Sequence, residues 1–284
     1  MKLWIDTDPG VDDALALFMI LATPDIDVRG LGIVGGNVGV AACVANALKL
    51  LDVAERDLPV YPGAVEPLLP PKAYDAGHVH GSDGFGDIGY RPSQREPETL
   101  HAALALIEAS RQHPGELTLL TLGPLTNFAL ALCLDPDLAR RLKAWICMGG
   151  AVTAHGNTEY TTSEFNIAFD AEAAAICFAR GPQATLVDWE TVCRHGVPLD
   201  EFEGWLAADT RTAHFYRAIS RKTRVLSANR QRSFYTGRRA GCDCAAVARK
   251  RARAWQATGG DRDDRRTQSR SERGRLDTSP RCAG

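Results

Sequence analysis

Short apolar runs bounded by turn residues alternate along this chain with longer stretches of helical period. Strands that alternate with helices are buried on both faces of a parallel sheet, which makes their runs continuous in apolar character. The alternation predicts an α/β fold, a single open, mostly parallel sheet flanked by helices. Lys2–Thr7 reads as the first strand and Val11–Leu21 as the first helix. Strands are expected over residues 26–34, 58–61, 117–122, 143–148 and 184–188. Helices are expected over 41–51, 99–111, from Pro124 onward, and over 171–179 and 209–226. Two polar segments, 62–97 and 149–166, are read as loops, and loops that long in a compact domain are usually functional.

Composition excludes more than it selects. The net charge of -2 gives no whole-chain attraction to nucleic acid or to a membrane surface. No apolar run reaches spanning length, and the opening Met1-Lys2-Leu3-Trp4-Ile5 lacks the layout of a signal peptide. Eight cysteines without disulfide or metal-ligand spacing suit a reducing compartment, so a cytoplasmic location is expected. The texture changes after about Thr236. From residue 237 to 284 roughly a quarter of the residues are Arg, and Val247, Trp255 and Leu276 are the only large apolar ones. The expected organisation is an α/β domain over 1–236 followed by an Arg-rich tail, 237–284, too poor in apolar surface to order itself.

Chemistry concentrates at the end of the first strand, where Asp6-Thr7-Asp8-Pro9-Gly10-Val11-Asp12-Asp13 places four carboxylates. Open α/β sheets bind ligands at that edge. Close carboxylates repel unless a proton or cation intervenes, and hard divalent ions take oxygen ligands. Acidic residues also favour a helix start, so one or two of the four have a structural use.

These residues resemble the N-terminal signature of the inosine–uridine-preferring nucleoside hydrolases. Further matches follow in the family's order: Gly36-Asn37, His78-Val79-His80-Gly81, Gly123-Pro124-Leu125-Thr126-Asn127, Met148-Gly149-Gly150, Gly156-Asn157, Glu164-Phe165-Asn166 and Asp170-Ala171-Glu172. The resemblance implies calcium-dependent hydrolysis of the N-glycosidic bond of ribonucleosides, releasing free base and ribose, by a homo-oligomer. It implies that Asp8 is both metal ligand and general base. Asp13, through both oxygens, and the Leu122 carbonyl are the further Ca²⁺ ligands it implies. Asp12, Asn37, Asn157, Glu164 and Asn166 match positions that grip the ribose, and His80 is either a contact near the substrate or loop packing.

The residues also carry plainer readings. Asn37 and Asn157 are ordinary turn residues. Asp170 is expected as a helix N-cap, Cys147 and Cys177 as core, and Asp188 as a supporting hydrogen-bond partner. Phe165 is expected to point inward, with Glu164 and Asn166 facing the cleft or solvent. Two other functions stay open: a non-catalytic nucleoside-binding remnant, and an aspartate-based phosphatase using Asp6 or Asp8.

One departure from the family is visible. A late Asp in a run like Asp-Ala-Leu-Ala is implied, yet Ser233-Phe234-Tyr235-Thr236 leads into Gly237-Arg238-Arg239-Ala240-Gly241-Cys242-Asp243-Cys244-Ala245. An allowed set of codons for that segment, shifted by one nucleotide, reads Ala-Asp-Ala-Leu-Ala-Val-Ile-Ala. A frameshift near Gly237 is therefore expected, with the C-terminal part of the fold missing or replaced. Poor stability and weak turnover of the chain as written follow from it.

Overall fold

The computed structural model describes residues 1–69, 77–159 and 161–229. The expected tail, its Asp243 and the proposed frameshift lie outside these residues. In order, the elements are β1 (Lys2–Thr7), α1 (Val11–Leu21), β2 (Asp27–Ile33), α2 (Val40–Val53), β3 (Val60–Pro62) and α3 (Gly77–His80). Next come α4 (Ala102–Gln112), β4 (Leu117–Thr121), α5 (Thr126–Leu134), α6 (Leu138–Arg141), β5 (Leu142–Met148) and α7 (Phe165–Phe169). The last are α8 (Ala171–Arg180), β6 (Ala184–Val187), α9 (Trp189–Arg194), α10 (Leu199–Leu206), α11 (Arg211–Ile219) and α12 (Arg221–Asn229).

The six strands form one parallel sheet in the order β3-β2-β1-β4-β5-β6. Successive strand residues face opposite sides, so each central strand feeds two cores. Leu3, Ile5, Leu120 and Ile146 pack with α1 and α2 on one side. Trp4, Leu119, Trp145 and Cys147 pack with α4, α5 and α8 on the other. The strand order reverses between β1 and β4, and the crevice at such a switch point is where open α/β sheets bind ligands. The ends of β1 and β4 therefore define the place to look. Among the described residues β3 and β6 are the edge strands, and on β6 Thr185 and Leu186 are exposed.

Several expectations need correction. The helix foreseen over 209–226 is two, divided at Ser220, whose buried hydroxyl donates back to the Tyr216 carbonyl at 2.6 Å. Pro124 does not open α5; the first helical bond is Ala129 N–H to the Leu125 carbonyl, so Pro124 remains in the turn. Loop 62–97 contains α3, and loop 149–166 ends in α7. Helix α4 starts at Ala102 because His101 caps it, its ring accepting from Ala103 N–H at 3.1 Å. No helix among the described residues is long and apolar enough to cross a membrane.

Candidate active site

At the end of β1 the chain turns at Pro9-Gly10 into α1, and Asp6, Asp8 and Asp13 are all buried there. Buried carboxylates persist as anions only where donors surround them. Asp13 receives the Thr7 hydroxyl on one oxygen, and on the other Gly10 N–H at 3.0 Å and the Asn37 amide at 3.2 Å. Asp8 receives the Asn37 backbone N–H at 2.8 Å, while the Asn37 side chain donates to the Asp8 carbonyl at 3.0 Å. Asn37 thus ties Asp8 to Asp13, rather than merely ending β2.

Two glycines wall in Asp8. A Cβ on Gly36 would stand 2.2 Å from one carboxylate oxygen, and a Cβ on Gly123 would stand 2.6 Å from the other. No larger residue leaves that carboxylate in place. Asp6 lies behind it. Burial pushes its carboxyl up to about 8, against the lowering effect of the Asn127 amide, which donates at 3.0 Å. The neighbouring Asp8 raises it further. A carboxyl raised this way favours its protonated form near neutral pH, which relieves repulsion within the cluster.

The end of β4 supplies the Leu122 carbonyl, which accepts from the Asn166 amide nitrogen at 2.8 Å. The same nitrogen reaches the Met148 carbonyl at 3.2 Å. The Asn166 oxygen is buried without a hydrogen-bond partner. Glu164 caps α7, accepting from Ile167 N–H at 3.2 Å and from Gly150 N–H at 2.9 Å. Burial lifts its carboxyl to about 7; three backbone donors oppose that and Asp8 adds to it. Of the expected arrangement, Phe165 is only half-buried rather than inward, while Glu164 and Asn166 are buried rather than facing solvent. A five-residue helix turns polar residues inward when the strand ends behind it offer partners.

The remaining candidates are placed unevenly. His80, on α3, is buried beside α1, its Nδ1 accepting Val11 N–H at 3.2 Å and lying 4.0 Å from an Asp12 oxygen. Asn157 is exposed, and its oxygen accepts Phe165 N–H at 2.8 Å. It neighbours Glu164 and Asn166 through the chain without touching the Asp8–Asp13 pair in any contact described. A cleft of about 670 Å³ opens beside Gly36 and Asn37, bounded by Val65, Phe169 and Lys222.

Asp170 caps α8 through Ala173 N–H at 3.0 Å and also receives the Thr126 hydroxyl at 2.6 Å, the structural role expected of it. Asp188 likewise caps its own helix, α9, through Thr191 N–H at 2.8 Å, and its carboxyl also hydrogen-bonds the Glu190 side chain. Cys147 and Cys177 are buried thiols, Cys147 pushed up to about 12 and Cys177 also raised, which keeps both protonated core residues. Sequence reasoning passed over Asn127, Gly36 and Gly123 as working parts. All three stood in quoted motifs, but the need for an amide behind Asp6 or for bare backbone beside Asp8 emerges only in three dimensions.

Whether these groups suit a cation can be judged from the donors. Among the described residues no three His, Cys, Asp or Glu side chains are arranged to hold a metal. A cation here would depend on Asp8 and Asp13 together with carbonyl and amide oxygens. That set is all hard oxygen, which fits calcium. The unpartnered Asn166 oxygen and the second lone pair of the Leu122 carbonyl are consistent with such a guest.

Fold and site together define an open parallel α/β protein with an acidic, amide-lined crevice at its switch point. The family description "Inosine-uridine preferring nucleoside hydrolase" matches residues 3–274, and the chain belongs to that family. It is 42% identical to "Uridine nucleosidase 1" of Arabidopsis thaliana over 187 residues, 66% of this chain and 55% of that protein. With "Non-specific ribonucleoside hydrolase RihC" of Salmonella enteritidis it shares 36% over 233 residues, 79% of this chain and 74% of the relative. A solved structure described as "Plant nucleoside hydrolase - PpNRh1 enzyme" superposes with a TM-score of 0.80 at 33% identity, covering 86% of this chain and 79% of the other. The chain spans little more than half the length of the plant curated relatives it matches.

Proposed function

We propose that this chain hydrolyses the N-glycosidic bond of ribonucleosides with the aid of a calcium ion, releasing free base and ribose. The observation that best supports this reading is the convergence of Asp8, Asp13, Asn37 and Asn166 on the ends of β1 and β4. Asp8, Asp13 and the Leu122 carbonyl would hold the ion, which when bound lowers the pKa of a water and orients the sugar. Asp8 takes the proton from the attacking water as its oxygen bonds to the anomeric carbon. The bond to the base nitrogen breaks, and its electron pair leaves with the base, which is then protonated. Positive charge develops on the ribose as that bond stretches, so anionic groups stabilise it. Asp12, Glu164 and Asn166 would contact the ribose hydroxyls, Asn37 would offer its amide oxygen, and Asn157 and His80 would meet the substrate as it enters.

A phosphatase reading with Asp6 as the nucleophile is disfavoured by its burial and raised carboxyl; with Asp8 as the nucleophile, release of phosphate rather than free base would reveal it. The proposal includes weak turnover, since no run like Asp-Ala-Leu-Ala follows Thr236.

The test incubates the purified 284-residue chain with inosine or uridine and calcium, and separates free base by chromatography. Base and ribose are expected in equal amounts, with loss on chelation. Asp8→Asn is expected to cost about 10²–10⁴-fold, the usual range for a general base. Nucleoside binding without release would favour the non-catalytic alternative, and neither binding nor release would overturn both. Robust turnover would instead overturn the reading of the tail alone.

A further inference from the structure

We infer that Glu190, on α9, is a positioning residue that pins the strand-exit segment holding Glu164 and leading to Asn157. This rests on the proposed reading of Glu164 and Asn157 as ribose contacts.

The segment after β5 has little to fix it by itself. Gly149 and Gly150 take backbone angles open to glycine, with φ of +159° and +84°, and Ala154 follows at φ 61°. Glycine's freedom makes the exit of such a strand loose unless outside groups hold it. Glu190 supplies that hold. One of its oxygens accepts Thr153 N–H at 2.6 Å and the Thr153 hydroxyl at 2.7 Å; the other accepts Val152 N–H at 3.2 Å. The Thr153 hydroxyl foremost, with Thr153 N–H, the Glu190 backbone and a hydrogen bond to the Asp188 side chain, holds its carboxyl down at about 2 against partial desolvation.

The anchor is continuous with the site. Next to Glu190, Trp189 N–H donates to the Gly150 carbonyl at 2.9 Å, and Gly150 N–H donates to Glu164 at 2.9 Å. The peptide at Gly150 is therefore gripped from α9 on one side and by a candidate ribose contact on the other. Farther along, Asn157 N–H bonds the Ser163 carbonyl at 3.0 Å, and the Asn157 oxygen receives Phe165 N–H at 2.8 Å. Glu190 fixes the near end of this loop, and the start of α7 fixes the far end. Its removal frees the near end, so nucleoside binding must then order the loop as well.

The test compares the full chain with Glu190→Ala and Glu190→Gln, reading amide hydrogen exchange at Gly150, Val152 and Thr153 and inosine affinity by calorimetry. In Glu190→Ala, faster exchange at all three amides and about tenfold weaker inosine binding are expected, from the cost of ordering the loop. Glu190→Gln keeps one acceptor oxygen and is expected to fall between wild type and Ala. Unchanged affinity in Glu190→Ala, with binding measurable in wild type, overturns the inference and leaves the functional reading intact. Unchanged exchange overturns it as well. A wild-type chain that binds no nucleoside overturns both.

Discussion

Asp8 and Asp13 stand on backbone at the centre of the sheet, where β1 is paired on both sides, whereas Asn157 rides on an exposed loop held at its two ends. On the first wall every neighbour is fixed: Asn37 bonds both aspartates, and Gly36 and Gly123 press against Asp8. On the second wall Glu164 and Asn166 are buried, but the segment before them is exposed and turns through Ala154 and Thr161 at positive φ. The contrast separates two tasks. Groups that must share an ion or move a proton need fixed spacing, which a sheet edge provides. Groups that close over a substrate need room to admit it, which a loop provides.

The largest effect should come from crowding the rigid wall. Gly36→Ala places a methyl on the Asp8 carboxylate and against Pro124, so the structure must shift. About 1–3 kcal/mol of stability should be lost, as in other overpacked sites, and thermal unfolding measures it. Calcium affinity should fall in the same variant. A Gly36→Ala chain with normal stability and affinity would show that this wall yields as readily as the loop.

Titration gives the next effect. Asp6 and Glu164 have folded-state values raised to about 8 and about 7, chiefly by burial. The folded state therefore keeps protons that the unfolded chain releases above pH 4 to 5. Without added cation, the contribution of these two groups to stability is full below about pH 4 and declines as pH rises through 7 and 8. Denaturant unfolding against pH measures this, and Asp6→Asn should flatten the upper part of the decline.

Smaller effects are expected on the loop. Asn157→Ala should weaken nucleoside binding several-fold with no change in melting temperature, because its side chain is exposed and makes one described bond. Ala154→Gly should raise stability by less than about 1 kcal/mol, since relief of the left-handed backbone is partly offset by glycine's entropy. If Ala154→Gly destabilised the chain, the loop would be more tightly built than this comparison holds.

Legibility in the sequence divides along the same line. The bounds of β1 and α1 were readable because a buried run, Pro9-Gly10 and a helical period follow one another directly. The single parallel sheet followed from the alternation. Short elements were not readable: α9 and α10 hold too few turns for a period to declare itself. The same brevity in α7 concealed that Glu164 and Asn166 are more buried than Phe165. Within the site, chemically loaded residues such as Asp8 and Asp13 stood out by type. Supporting roles did not: Asn127 behind Asp6, and Glu190 under the loop, depend on contacts between residues 37 to 121 positions apart.

Calcium titration by calorimetry addresses the pairing of Asp8 with Asp13 most directly. Wild type should give a single saturable event, absent in both Asp8→Asn and Asp13→Asn while each variant stays folded. A wild-type chain that gives no heat up to millimolar calcium, or one whose heat survives in both variants, would contradict the assignment of these carboxylates to one ion.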